Sequence, residues 1–278
     1  MTTNNPIFEL LDHFPADASV KRWPKSKSAG SVRYIAEPNE ALSLWLAKVN
    51  KVLSKQLNNW PDFMHGGIKG RSYVSYARQH VGKPCVITID IKKCFDSIKE
   101  ADVASAIERH LSLPPEVAQQ LAHCLCNRGR IAQGFATSNF ICNLYLLEPL
   151  AKLHHSLKKQ GLWLGSYVDD IAISGPLKDP AEVVNQAAIT LSKIRLQIGK
   201  DKSKIRIMPA YKRQVVCGLL VNKKLSLSKD LKKELFRKIN SGEMSSETAK
   251  GWIANLKTVD AKFRQKLLEY SVKKGLVS

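Results

Sequence analysis

The sequence predicts an α+β fold, and three observations predict it. PCVITIDI at 84–91 is a β-branched run bounded by Pro84, as a buried strand requires, and it carries Asp90 at its end. LWLGSYVDDIAIS at 162–174 sets two short apolar arms around a Tyr-Val-Asp-Asp centre, the pattern of a hairpin with acidic residues at its turn. Around them lie long stretches of helical periodicity, without the regular strand-helix alternation of a doubly wound sheet.

Taken in order, residues 1–30 are polar and mixed, and KRWPKSKSAG at their end reads as a loop. SVRYIAE is expected as a short strand stopped by Pro38. Leu42, Trp45, Leu46, Val49, Val52, Leu53 and Leu57 recur at helical spacing, with Lys48, Lys51 and Lys55 on the polar side. A glycine-containing segment, HGGIKGRSYVSYARQHVGKP, leads into the strand that ends on Asp90. From Lys99 to about Leu125 the spacing is helical again, and Pro114-Pro115 marks a break and a new start. After RGRIAQGFATSN, the segment FICNLYLLEPLAKLHHSLKK reads as a buried helix. Beyond the acidic hairpin come a helix from Ala181 to about Leu196, strands at SKIRIMPA and QVVCGLLVN, and a Lys-rich helical end.

At 278 residues the chain exceeds a usual single domain of roughly 100 to 200, so connected lobes are expected. Forty-four Lys and Arg against 24 Asp and Glu leave a net charge of +20, a field that attracts polyanions. A nucleic-acid partner is the leading explanation, beside a merely solvated basic surface. Six scattered cysteines, of which only Cys124 and Cys126 are close, indicate neither a zinc site nor a disulfide framework. No secretory leader or apolar run of about 18 residues is visible, so the expectation is a reducing cytoplasm and no membrane.

Asp90 at a strand end and Asp169-Asp170 on a turn would bring negative charges together, which is costly in a dry interior unless a divalent cation neutralises them. Magnesium matches: it is hard, takes oxygen ligands, and is held by one or two carboxylates plus substrate phosphates. Two such ions astride a transferring phosphoryl group would make a nucleotidyl-transfer site. Each aspartate alone could equally be a solvated cap or turn former.

Tyr167-Val168-Asp169-Asp170 resembles the signature of reverse transcriptases and right-handed polymerase palms. ITIDIKKCFDSI resembles the first palm motif, AQGFATSN the QG motif, LQIGKDKSK the motif that follows, and VVCGLLVN the primer grip, together covering residues 65–222. Within that family the chain looks like the bacterial retron type, on SVRYIAEPNEAL, GIKGRSYVSYARQHVGKP and the C-terminal TAKGWIANLKTVDAKFRQKLLEY. It departs in two places: Tyr76 stands where the family usually has Asn, and Val216-Cys217-Gly218 stands where retrons usually show VTG.

The resemblance implies a right hand with fingers at 1–88, a palm at 89–222 and a short helical thumb at 223–278. It implies Asp90, Ile91, Asp169 and Asp170 as the ligand set for two Mg2+ ions, with Lys202, flanked by Lys200 and Lys204, beside the leaving pyrophosphate. Arg71 is expected to clamp the triphosphate or a template phosphate, since a guanidinium binds phosphate bidentately. Phe95 would screen the sugar 2′-hydroxyl or pack in the core. Gln133 and Gly134 would contact nucleotide and template or simply form a turn. His80 is functional or structural, and Trp252 and Phe263 are expected to pack the thumb, with stacking on bases as the alternative for an exposed aromatic.

The activity implied is RNA-templated DNA synthesis from deoxynucleoside triphosphates. A dedicated structured noncoding RNA would serve as template and primer, giving a branched RNA–DNA product. Phage defence with an effector protein is implied as well. Two rivals stand beside it: another bacterial defence reverse transcriptase, untemplated or protein-primed, and an RNA-binding scaffold without catalysis.

Overall fold

The computed structural model describes residues 5–26, 32–199 and 204–277. Helix α1 (Pro6–Asp12), capped by the Asn5 side chain with Pro6 at its first position, packs on the later helix α2. Strands β1 (Val20–Ser26) and β2 (Val32–Pro38) form a separate two-stranded antiparallel ribbon. The expected loop at 21–30 is thus in part a strand. Pro24 is tolerated there because β1 has a partner on one side only, leaving an edge where the missing N–H costs no ladder bond.

Helix α2 (Glu40–Gln56) is capped by Asn39 and buries Leu42, Trp45, Leu46, Val49 and Leu53, the stripe read from the sequence. Helix α3 (Tyr73–Arg78) follows the glycine-containing segment behind a Ser72–Ser75 capping box. Strand β3 (Cys85–Asp90) leads to the short α4 (Cys94–Ser97). The Pro114-Pro115 break separates α5 (Glu100–Leu111) from α6 (Pro115–Leu125), as expected. A small hairpin of β4 (Cys126–Asn127) and β5 (Arg130–Ile131) opens onto the buried helix α7 (Ser138–Lys159).

Strands β6 (Trp163–Tyr167) and β7 (Asp170–Gly175) are the acidic hairpin, followed by α8 (Pro180–Ser192) and β8 (Ile205–Pro209). The central sheet has the order β6-β7-β3-β8 and is antiparallel throughout. A small sheet of β9 (Val215–Val216), β10 (Leu219–Leu220) and β11 (Ser226–Leu227) precedes α9 (Lys229–Asn240), α10 (Ser246–Leu256) and α11 (Ala261–Lys273).

Two apolar clusters hold these layers. The larger unites α1, α2 and α4–α8 with the face of β3 and β7 that carries Ile87, Ile89, Ile171 and Ile173. The smaller joins the C-terminal helices to Val74, Tyr76, Val86 and Ala172, so α3 and the opposite sheet face are where the thumb helices seat. Trp252 and Phe263 belong to that packing, as expected. The boundaries expected at 88 and 222 fall inside β3 and between two strands of one small sheet, so neither is a packing boundary.

His80 is a pillar of this second layer: its Nδ1 lies 2.8 Å from Ser174 Oγ and its ring meets Tyr76 edge-on. Burial, helped by His65 and Lys83, depresses it to about 3. Native His80 therefore stays neutral where an unfolded His, near 6.5, takes a proton, so stability is full above about 6.5 and declines towards about 3. Acid titration of the urea midpoint should show this slope, up to about 1.4 kcal/mol per pH unit for one proton. The His80→Gln variant should have lost most of it; an unchanged slope would count against this role.

Candidate active site

The register of the central sheet puts Asp90 of β3 directly opposite Asp170 of β7, while Val168 and Asp169 form the two-residue turn between β6 and β7. One sheet end thereby collects all three aspartates. Ile91 N–H donates to the Asp169 carbonyl at 3.4 Å and ties the end of β3 to the acidic turn. On the other side, Asp90 N–H donates to the Lys204 carbonyl at 3.0 Å, and the Asp90 carbonyl accepts from Gly199 N–H at 3.0 Å.

The carboxylates sit beside a cavity of about 220 Å³ whose lining includes Asp90, Asp170, Lys204, Arg206 and Cys217. Lys204 Nζ is 2.5 Å from Asp90 Oδ2, and Arg206 Nε donates to Thr88 Oγ1 at 3.2 Å. Burial pushes the Asp170 carboxyl up to about 6, with the charges of Asp169 and Asp90 adding to the effect and Arg206 and Lys204 opposing it. Beneath it the fully buried Tyr76 donates its hydroxyl to the Asp170 carbonyl at 3.2 Å. That bond gives the departure at Tyr76 a structural reason: the longer side chain braces the acidic hairpin from α3.

Backbone strain gathers here. Val168 has a φ of +55° at the first position of its turn, where glycine is favoured and a β-branched residue is unusual. Its side chain is buried against Gly66: a Cβ on Gly66 would overlap Val168 Cγ2 and lie 2.7 Å from Val168 N. Asn143 Nδ2 holds the Gly66 carbonyl at 2.6 Å, so α7 fixes the loop that fixes the turn. Cys217 (φ +44°) and Gly218 (φ +79°) are the two-residue turn between β9 and β10, and Cys217 Sγ is 3.9 Å from Asp170 Oδ2. Two positive φ values call for Asn-Gly. Cys217→Asn should raise the melting temperature by about 2–4 °C, for relief of about 1 kcal/mol. A lower melting temperature would show that the thiol contact outweighs the strain.

Other expected residues fall elsewhere. The Arg71 guanidinium donates to the carbonyls of Trp60 (2.7 Å), Met64 (2.6 Å) and Pro61, so it anchors the 60–64 loop. Gly134 makes a close approach to the β2 ribbon, where a Cβ would overlap the Ala36 carbonyl oxygen. Gln133 accepts the Ala36 N–H at 2.7 Å through its backbone carbonyl. Gln133 also lines a separate cavity of about 540 Å³ between the ribbon and the palm, with Arg22, Lys93 and Arg128 on its walls. Phe95 is half-buried against the larger cluster. Lys202 lies outside the described residues.

Lys204, Arg206, Gly66 and the Arg22 wall were the residues that sequence reasoning did not assign. Lys204 was in view as a neighbour of Lys202, and Arg206 as part of the strand SKIRIMPA, but only the strand register shows which side chains reach the carboxylates.

Among the described residues, no three His, Cys, Asp or Glu side chains close around a point tightly enough to hold an ion alone. The donor set still fits a divalent cation that arrives with phosphates, because Asp90 and Asp170 face each other and Asp170 carries repulsion that an ion would relieve.

An antiparallel sheet that presents paired strand-end carboxylates beside cationic side chains, with a basic ribbon before it and a helical lobe after it, defines the palm of a right-hand polymerase. The chain belongs to the reverse transcriptase (RNA-dependent DNA polymerase) family, whose model matches residues 23–239. It is similar to the Retron Se72 reverse transcriptase of Salmonella heidelberg, with 29% identity over 62% of this chain and 46% of that protein. With the Retron Ec86 reverse transcriptase of Escherichia coli it shares 24% identity over 90% of this chain and 78% of the relative. The chain spans about half the length of the Se72 and Ec48 relatives, 46% and 51%. Apo telomerase from Candida tropicalis has the same fold, with a TM-score of 0.56 and 14% identity over 94% of this chain and 58% of that one. No described helix is long and apolar enough to cross a membrane.

Proposed function

We propose that the chain is an RNA-templated DNA polymerase of the retron type. The observation that carries this is Asp90 opposite Asp170, with Asp169 on the adjoining turn, in a reverse transcriptase fold. Asp90, Asp169, Asp170 and the Ile91 backbone would hold two Mg2+ ions, which when bound lower the charge on the reacting phosphate and primer hydroxyl. Lys204 and Arg206 neutralise the carboxylates until then and stand beside the phosphates afterwards. Arg22, Lys93 and Arg128 supply the positive wall against which Gln133 and the incoming deoxynucleoside triphosphate are placed. Phe95 would screen the sugar edge, and Lys202 would face the departing pyrophosphate.

The net charge of +20 supports a nucleic-acid partner, and the resemblance to the retron type extends the reading to a structured noncoding RNA as template and primer, a branched RNA–DNA product held as a hybrid, and a role in phage defence with an effector in the cytoplasm. The test is to recover nucleic acid bound to the tagged protein from its host and digest it separately with RNase and DNase. A discrete short DNA joined to RNA is expected. RNA alone would overturn the polymerase reading in favour of a scaffold, and unlinked or untemplated DNA would move the chain to another defence class.

A further inference from the structure

A cavity of about 470 Å³ opens between α5, α7 and the turn after α8, and it shares no lining residue with the cavities at the aspartates or beside the ribbon. Four cations line it, Arg109, Lys152, Lys193 and Arg195, against two carboxylates, Asp102 and Glu148, which leaves two net positive charges.

Both carboxylates are fully committed. Glu148 Oε1 pairs with Lys152 Nζ at 2.6 Å and Oε2 with Arg109 Nη1 at 2.7 Å. Asp102, buried at 8% exposure, accepts the Lys99 N–H through Oδ2 at 3.1 Å and an Arg195 N–H through Oδ1. Arg195 has a φ of +61°, a left-handed backbone that L side chains rarely adopt, and Tyr145 pins the same turn by donating its hydroxyl to the Ile194 carbonyl at 2.7 Å. Half-exposed ion pairs contribute little stability. What they do here is orient: each guanidinium gives one nitrogen to a carboxylate and keeps further N–H donors for a second anion. Ala106, Pro149 and Tyr145 add an apolar wall on which a base or ribose can rest.

We propose that this cavity binds the sugar-phosphate backbone of RNA outside the catalytic cleft, anchoring a part of the transcript that is not being copied. It rests on the reading of the chain as an RNA-copying enzyme. The volume lies within the range of about 300–1,000 Å³ usual for ligand clefts, and fixed donors around an apolar wall suit a phosphodiester.

The test pairs Lys152→Gln with Lys193→Gln, leaving the Asp102–Arg195 pair intact. Its control is Lys158→Gln with Lys159→Gln, two exposed lysines of the same helix that do not line the cavity. Affinity for a labelled stem-loop RNA is measured across salt concentrations, and extension of oligo(dT) on poly(rA) reports the cleft alone. The cavity variant should bind about tenfold more weakly, with a log–log salt slope shallower by about two, while the control changes little. Extension should be unchanged in both. Equal losses in cavity variant and control would reduce the effect to bulk charge and overturn the proposal. Retained RNA binding with lost retention on polyglutamate would overturn it in favour of an acidic protein segment. Failure of wild-type extension would strike the polymerase reading instead, and the RNA comparison would still decide this one.

Discussion

Asp169→Asn combined with Asp170→Asn should abolish nucleotide incorporation, with a loss of at least about 10³-fold, while RNA affinity stays within several-fold of wild type. Incorporation depends on negative oxygens that gather divalent cations around a phosphoryl group, and asparagine keeps the shape while removing the charge. Binding depends on the basic surface, which the change leaves untouched. Stability should move the other way. Asp170 is held up to about 6 by burial and by its two acidic neighbours, so neutralising the pair relieves repulsion in the folded protein. Primer extension, filter binding and a thermal melt on one preparation check all three. An inactive variant that melts well below wild type would mean the substitution broke the fold, and retained synthesis would remove these residues from the chemistry.

Gly66→Ala should have the second largest effect, a loss of about 10²-fold in kcat from a residue that touches no substrate. The added methyl has no free space, because Val168 Cγ2 and the Val168 backbone nitrogen occupy it, and the Gly66 carbonyl is fixed by Asn143. The turn carrying Asp169 must therefore shift, at a folding cost of about 1–3 kcal/mol. Adding Val168→Gly to the variant removes the side-chain overlap and suits the positive φ, so it should recover part of the activity. Recovery stops short because the contact at 2.7 Å to the backbone nitrogen persists. A Gly66→Ala enzyme with wild-type kcat would show that the hairpin is not positioned from this loop.

Much of this architecture was legible in the chain. The strand ending at Asp90, the acidic hairpin, the α2 stripe and the Pro114-Pro115 break each announce themselves through local periodicity and turn chemistry, and each is where it was expected. The misplaced segments were those whose local composition is ambiguous. KRWPKS reads as a loop until its antiparallel partner supplies the ladder bonds, and α1, at seven residues, is too short for its periodicity to stand out.

Arg71 shows the same limit at the site. Its sequence context of glycines and a basic charge fits a phosphate clamp and a loop anchor equally, and only the three carbonyls around its guanidinium reveal the anchor. Lys204 is the converse, a residue passed over for its neighbour until the β3–β8 register brought it to Asp90.

The sequence by itself determined the strongly periodic elements and which carboxylates end up at strand ends and turns, because those depend on a few neighbouring residues. The tertiary structure alone decided which cations meet those carboxylates, that Val168 needs Gly66, and that Tyr76 braces Asp170. Such contacts join residues at least 94 positions apart, and no local periodicity encodes a meeting that is set by packing and strand register.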